Sequence, residues 1–100
     1  MLFRSLGEIA PSPVIDLNRA VAVSMAFGAA AGLELVDTLT AEGALENYHL
    51  LPSVRGDLLQ KLGRLEEARA EFERAAALTR NARERHLLLA RAEACGSRAN

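Results

Sequence analysis

The chain has a single cysteine, a single lysine, one tyrosine, three phenylalanines and no tryptophan. A lone Cys95 rules out a disulfide within the chain and gives an oxidising compartment no support. No apolar run approaches the roughly 20 residues that a membrane span needs. The opening MLFRSLGEIAPSP carries Arg4 and a short apolar patch but lacks the apolar core of a signal peptide. By elimination the expected address is cytoplasmic. Aromatics make up only 4% of the residues, while alanine and leucine dominate. Sheets favour β-branched and aromatic residues, so this is the composition of packed helices. Half the residues are apolar and a quarter are charged, which fits one small globular domain over residues 1–100.

The net charge of −1 hides an asymmetry. Residues 1–50 hold two basic and six acidic groups; residues 51–100 hold ten basic and seven acidic. The surplus lies in Arg80, Arg83, Arg85, Arg91 and Arg98. Such a cluster can meet phosphate or an acidic partner, although a solvated last helix with cations near its end accounts for it more simply.

The stretch Leu62–Leu78, LGRLEEARAEFERAAAL, shows the plan of the chain most openly. It reads as a helix end, a glycine turn at Gly63, and a second helix with a narrow stripe of Leu65, Ala68, Phe72 and Ala75. Opposite charges are spaced to pair at Glu66–Arg69 and Arg69–Glu73. A stripe this apolar must pack on neighbouring helices.

Upstream, Leu2–Ile9 looks like the last turns of a helix with Phe3, Leu6 and Ile9 on one side. No capping residue precedes it, which predicts further residues upstream and a fragment of a longer protein. Ser12 is placed to cap, and Pro13 to open, a helix Pro13–Phe27 whose expected buried face is Val14, Leu17, Ala20, Val21, Ser24 and Met25. Gly28 ends it. A helix from Ala29 to about Thr40 follows, with Gly32, Leu33, Val36 and Leu39 inward and Gly43 closing it. A third runs from about Tyr48 to Leu62 on a core line of Leu51, Val54, Leu58 and Leu62, with Pro52 tolerable only in its first turn. Gly56 marks a place where another backbone can approach. Asn81 and Glu84 have capping-box spacing for a last helix to about Cys95, with residues 96–100 expected to fray.

Residues that carry catalysis or bind metal do not assemble in this sequence. His49 and His86 lie 37 residues apart without a His-Glu-x-x-His spacing, and partly buried, satisfied histidines describe them better than metal ligands. Cys95 is most simply a small packing residue. No phosphate-binding glycine pattern occurs, and Glu66-Glu67 point in different directions on a helix. No enzyme activity, cofactor or metal is therefore expected. Two polar clusters remain as partner-binding or inter-repeat candidates. Asn18-Arg19 sits inside an apolar helix, where a half-buried arginine needs a carboxylate such as Asp37 or Asp57. Tyr48, His49 and Arg55 lie near a junction between repeats, as a binding hot spot or as core residues.

Laying Gly28 on Gly63, an offset of 35, brings Gly32, Val36 and Leu39 close to Ala68, Phe72 and Ala75. That period is a helical-solenoid signature. Gly56, Leu59, Gly63, Ala68, Phe72 and Ala75 resemble the small–large pattern of the tetratricopeptide repeat. Arg80-Asn81 replaces its closing proline, Pro52 stands where an aromatic is common, and the first unit matches only loosely. The implied fold is all-α: antiparallel hairpins stacked as a tetratricopeptide-like right-handed superhelix of about five to six helices.

A narrower resemblance spans most of the chain. Ser12-Pro13-Val14 and Leu17-Asn18-Arg19-Ala20-Val21-Ala22 are followed in order by Gly28, Gly32-Leu33, Tyr48-His49-Leu50-Leu51, Leu62-Gly63-Arg64, Asn81 and Glu84-Arg85. In that order they resemble the carboxy-terminal extension of one group of bacterial extracytoplasmic-function (ECF) RNA polymerase sigma factors. The resemblance implies a regulatory, protein-binding domain in transcription initiation. Its partners would be the other sigma domains and RNA polymerase, with DNA touched only through upstream domains and no membrane involved. A dimer through a truncated first helix is a further expectation. The alternative is a stand-alone tetratricopeptide adaptor that binds a peptide or protein.

Overall fold

In the computed structural model, residues 13–43 and 45–99 are described, the side chains of 97–99 excepted. They form five α-helices and no strand: α1 Pro13–Phe27, α2 Ala29–Glu42, α3 Leu50–Lys61, α4 Leu65–Leu78 and α5 Ala82–Ala99. Each helix packs chiefly on its neighbours in sequence, with α1 also touching α3. The architecture is two helical hairpins, α1–α2 and α3–α4, with α5 laid against the second. The expected helix at Leu2–Ile9 and the Ser12 cap fall outside the described residues.

Both hairpin turns use a glycine at positive φ. Gly28 and Gly63 take φ of 105° and 80°, a region that a Cβ disfavours, and each lets a helix reverse within a few residues. The turns differ in length: Gly28 alone links α1 to α2, its N–H donating to Ser24 O, whereas residues 62–64 link α3 to α4, with Gly63 N–H donating to Gln60 O and Arg64 N–H to Leu59 O. The α2 stripe of Gly32, Leu33, Val36 and Leu39 is buried throughout. In α4, Ala68, Phe72 and Ala75 are fully enclosed, with Leu65 half-buried beside them.

The hairpins close through glycine, but on opposite helices. A Cβ on Gly32 of α2 would lie 2.5 Å from Ser24 Cβ and 2.9 Å from the Ala20 carbonyl oxygen of α1. In the second hairpin the small residue is Gly56 of α3. It faces the Phe72 ring of α4, where a Cβ would stand 2.9 Å from Cε1, so an aromatic side chain and not a backbone occupies the expected gap. The guanidinium of Arg91, from α5, lies 4.4 Å from the centroid of that ring. Phe72 thus joins three helices.

Several expectations are corrected. Val14 and Met25 are exposed, because α1 buries only the narrow edge of Leu17 and Ala20 against α2. Leu62 is likewise exposed, and Leu59 takes its place in the core. Helix α3 starts at Leu50, preceded by turns in which Leu51 N–H donates to Tyr48 O, and Pro52 falls in its first turn. Of the two expected charge pairs, Arg69–Glu73 forms at 3.3 Å as read and Glu66–Arg69 does not; Glu67 is instead held by Arg64 through two bonds of 2.7 and 2.8 Å. The last helix does not end near Cys95 but continues to Ala99. Cys95 is fully buried, and Gly96 passes close to the Arg69 side chain, so packing on α4 holds the final turns.

The start of α5 departs from the expected capping box in one partner. Asn81 Oδ1 accepts from the Glu84 N–H at 2.9 Å, as the spacing predicts. The Glu84 carboxylate, however, accepts from the Thr79 hydroxyl, and Thr79 Oγ1 in turn accepts from the Asn81 N–H at 3.2 Å. Thr79 is thereby inserted into the reciprocal pair.

Candidate functional site

A groove of about 360 Å³ opens where α1, α3 and α5 lie side by side. Its position follows from the rotation of α1. Leu17 and Ala20 face α2, and Gly32 lets that face approach closely. Val21 and Met25 then fall roughly a quarter turn away and line the groove. Met25 is 83% exposed, more than any other large apolar side chain among the described residues. Val54 of α3 supplies the opposite apolar wall.

The rim of the groove is charged. Asp57 accepts from Arg91 Nη2 at 2.9 Å through Oδ1 and pairs with Lys61 Nζ at 3.0 Å through Oδ2. The same Arg91 nitrogen reaches Gln60 Oε1 at 2.8 Å. Burial pushes the Asp57 carboxyl up, but the hydrogen bonds and charges of Arg91 and Lys61 outweigh it and hold the group below its ordinary range. Among the described residues two cations share one carboxylate here, so this edge has one positive charge in excess. Arg91 and Lys61 remain open to solvent, with side chains 43% and 61% exposed.

None of the five residues singled out in the sequence lines this groove. Asn18 and Arg19 are both exposed, contrary to the expected half-buried arginine. Arg19 instead borders a separate shallow hollow of about 120 Å³ with Asp16, Leu35 and Glu42. Its proposed partner Asp37 is taken by Arg55, whose Nε donates to Oδ1 at 2.8 Å. Arg55 also reaches Glu71 Oε2 at 3.3 Å, so it is Arg55 that ties α2, α3 and α4 together. Glu71 is 9% exposed, and the neighbour of its second oxygen is Arg74 at 3.7 Å. Breaking this buried pair on one side would leave a charge uncompensated.

Tyr48 is half-buried against the core, and its ring meets that of His49 edge-on at 5.7 Å. His49 Nε2 lies 2.9 Å from Glu84 Oε1, linking the entry of α3 to the first turn of α5. The hydrogen bond from Thr79 lowers the Glu84 carboxyl, burial opposes it, and His49 adds to the lowering. His86 is exposed rather than partly buried, a second correction. Among the described residues, no three His, Cys, Asp or Glu side chains gather as a metal site, and no helix is long and apolar enough to cross a membrane.

Of the groove residues Met25, Asp57, Lys61 and Arg91, the sequence named Asp57 only as a partner for Arg19 and Arg91 only within the arginine cluster. The signal for two of them was present: Asp57 and Arg91 are 34 residues apart, and His49 and Glu84 are 35 apart, so each pair stacks one repeat on the next.

Comparison with known proteins adds one relative. An uncharacterized protein of Rhizobium meliloti (strain 1021) is 46% identical over 84 residues, covering 84% of this chain and 19% of that protein. The chain thus spans about a fifth of the length of the curated relative it matches. No family model matches the chain, and no solved structure matches it.

Proposed function

We propose that the chain is a regulatory protein-interaction domain of an ECF-type RNA polymerase sigma factor, contributing to transcription initiation by docking on other sigma domains or on polymerase. The observation that carries the docking role is the groove between α1, α3 and α5, where Met25 stands 83% exposed beside the Asp57–Lys61–Arg91 cluster. An apolar strip edged by charge is the anatomy of a protein-binding surface. The sigma-factor assignment is supported by the ordered resemblance running from Ser12-Pro13-Val14 to Glu84-Arg85. A relative in which the matched stretch is 19% of a longer protein agrees with a domain that works as part of a larger chain. On this reading the protein acts in the cytoplasm, where polymerase is, and promoter bases are read by other domains.

The test is a calorimetric titration of the chain against purified promoter- and polymerase-binding sigma domains, and against core polymerase. Saturable binding to either, with no comparable affinity for promoter DNA, is the expected result. Failure to bind both, together with tight binding to promoter DNA that weakens steeply with salt, would overturn the assignment. The same groove also suits a stand-alone adaptor, for which the titration finds no sigma or polymerase partner and no DNA binding.

A further inference from the structure

Resting on the docking reading above, we infer that the groove between α1, α3 and α5 receives an amphipathic α-helix with a carboxylate beside its apolar stripe, and not an extended peptide. The lining comes entirely from helices, whose own N–H and C=O groups are engaged within them. No sheet edge or open loop offers main-chain partners there. The two serine hydroxyls are turned onto their own helices, Ser24 Oγ donating to Val21 O at 2.6 Å and Ser53 Oγ to His49 O at 2.9 Å, so beyond Asp57 the polar groups left open are the donors of Lys61 and Arg91 at the rim. An extended ligand could meet those donors with a few C=O groups at the rim, but along the apolar walls its N–H groups would lie buried without acceptors. Each such group weakens binding by roughly tenfold or more. A helix arrives with its main chain already satisfied.

The apolar walls fit the same occupant. Val21 and Met25 are four residues apart on α1 and face Val54 of α3, with Leu58 buried beneath them. A row at that spacing is a ridge against which another helix seats its own. The rim then selects charge. With Asp57 shared by Lys61 and Arg91, one positive charge is left over at a solvent-open edge, and an incoming Glu or Asp completes it. A basic helix meets the same edge with like charge.

The experiment uses the full chain and three labelled peptides in fluorescence anisotropy. The first is an alanine-rich helix with leucines at i, i+4 and i+7 flanked by glutamates. The second has the same composition with a central proline that breaks the helix, and the third has lysines for the glutamates. The helical acidic peptide is expected to bind saturably, with the proline peptide about tenfold weaker or more and the lysine peptide also weaker. Lys61→Glu should reverse the order of the acidic and basic helices. Met25→Glu, at an exposed site, should abolish binding without changing the melting temperature. Equal binding of the proline peptide, or indifference to Met25→Glu, overturns the inference. The sigma-domain and polymerase titrations are repeated with Met25→Glu to separate the two readings. If those partners bind and the variant binds them equally well, docking stands but uses another surface. If the helical peptide binds and those partners do not, the groove inference stands and the sigma-factor assignment falls. No binding of any kind overturns both.

Discussion

Replacing Gly56 with alanine sets two opposed effects against each other at one atom. Alanine is favoured over glycine inside a helix by about 1 kcal/mol, so an exposed site would gain stability. At Gly56 the new Cβ stands 2.9, 3.0 and 3.1 Å from three atoms of the Phe72 ring. Restoring an ordinary carbon–carbon contact requires a displacement of about 0.5 Å. The ring has little freedom to yield: it is fully buried, and Arg91 covers it 4.4 Å from its centroid. Arg91 is itself held by Asp57 and Gln60 at 2.9 and 2.8 Å. Overpacking costs about 1–3 kcal/mol and a ring held this firmly falls in the upper part of that range, about 2–3 kcal/mol; subtracting the ~1 kcal/mol gain in helix propensity leaves a net loss of about 1–2 kcal/mol. For a domain of this size that lowers the melting temperature by roughly 5–15 °C. Circular dichroism at 222 nm, followed through heat and urea, measures it. The penalty should vanish in a Phe72→Leu background, where the ring is gone, although Phe72→Leu destabilises on its own account. A Gly56→Ala protein as stable as the parent, or a penalty unchanged by Phe72→Leu, would refute the reasoning.

Gly32→Ala should cost more than Gly56→Ala, because the obstacles at 2.5 and 2.9 Å are Ser24 Cβ and the Ala20 carbonyl, which move only if α1 and α2 part; urea midpoints of the two variants compare them. Asn81→Ala removes the acceptor of the Glu84 N–H and should lower stability by about 1 kcal/mol in the same assay. Asp57 has its carboxyl lowered in the folded chain, so its contribution is fully present above the ordinary carboxylate range and is lost as pH falls through the folded value. The stability difference between the parent and Asp57→Asn should therefore be constant near neutrality and shrink below about pH 4, as read from urea midpoints at pH 7 and pH 3.

What the sequence discloses depends on how sharply each helix is patterned. Helices α2 and α4 have narrow stripes between charged faces, and Gly32, Leu33, Val36, Leu39, Ala68, Phe72 and Ala75 are all buried as read. Helix α1 is apolar nearly all round, from Val14 to Phe27, so periodicity cannot choose its inward side. The close fit of Gly32 against Ala20 and Ser24 makes that choice, and it is a tertiary event. The same ambiguity misplaced the buried arginine. Arg19 and Arg55 both stand in apolar surroundings along the chain, yet only the rotation of α3 brings Arg55 between Asp37 and Glu71. The groove escaped notice for a related reason, since its residues are scattered over three helices and meet only when alternate helices stack. The repeat offset held part of that information in the spacings of His49 to Glu84 and Asp57 to Arg91.

The burial of Cys95 beneath the end of α5 has a practical consequence. Being the sole thiol, it can meet a sulfhydryl reagent only when the terminal helix lifts from α4 or the whole domain unfolds. Its labelling rate therefore reads out how often that helix detaches, without any engineered probe.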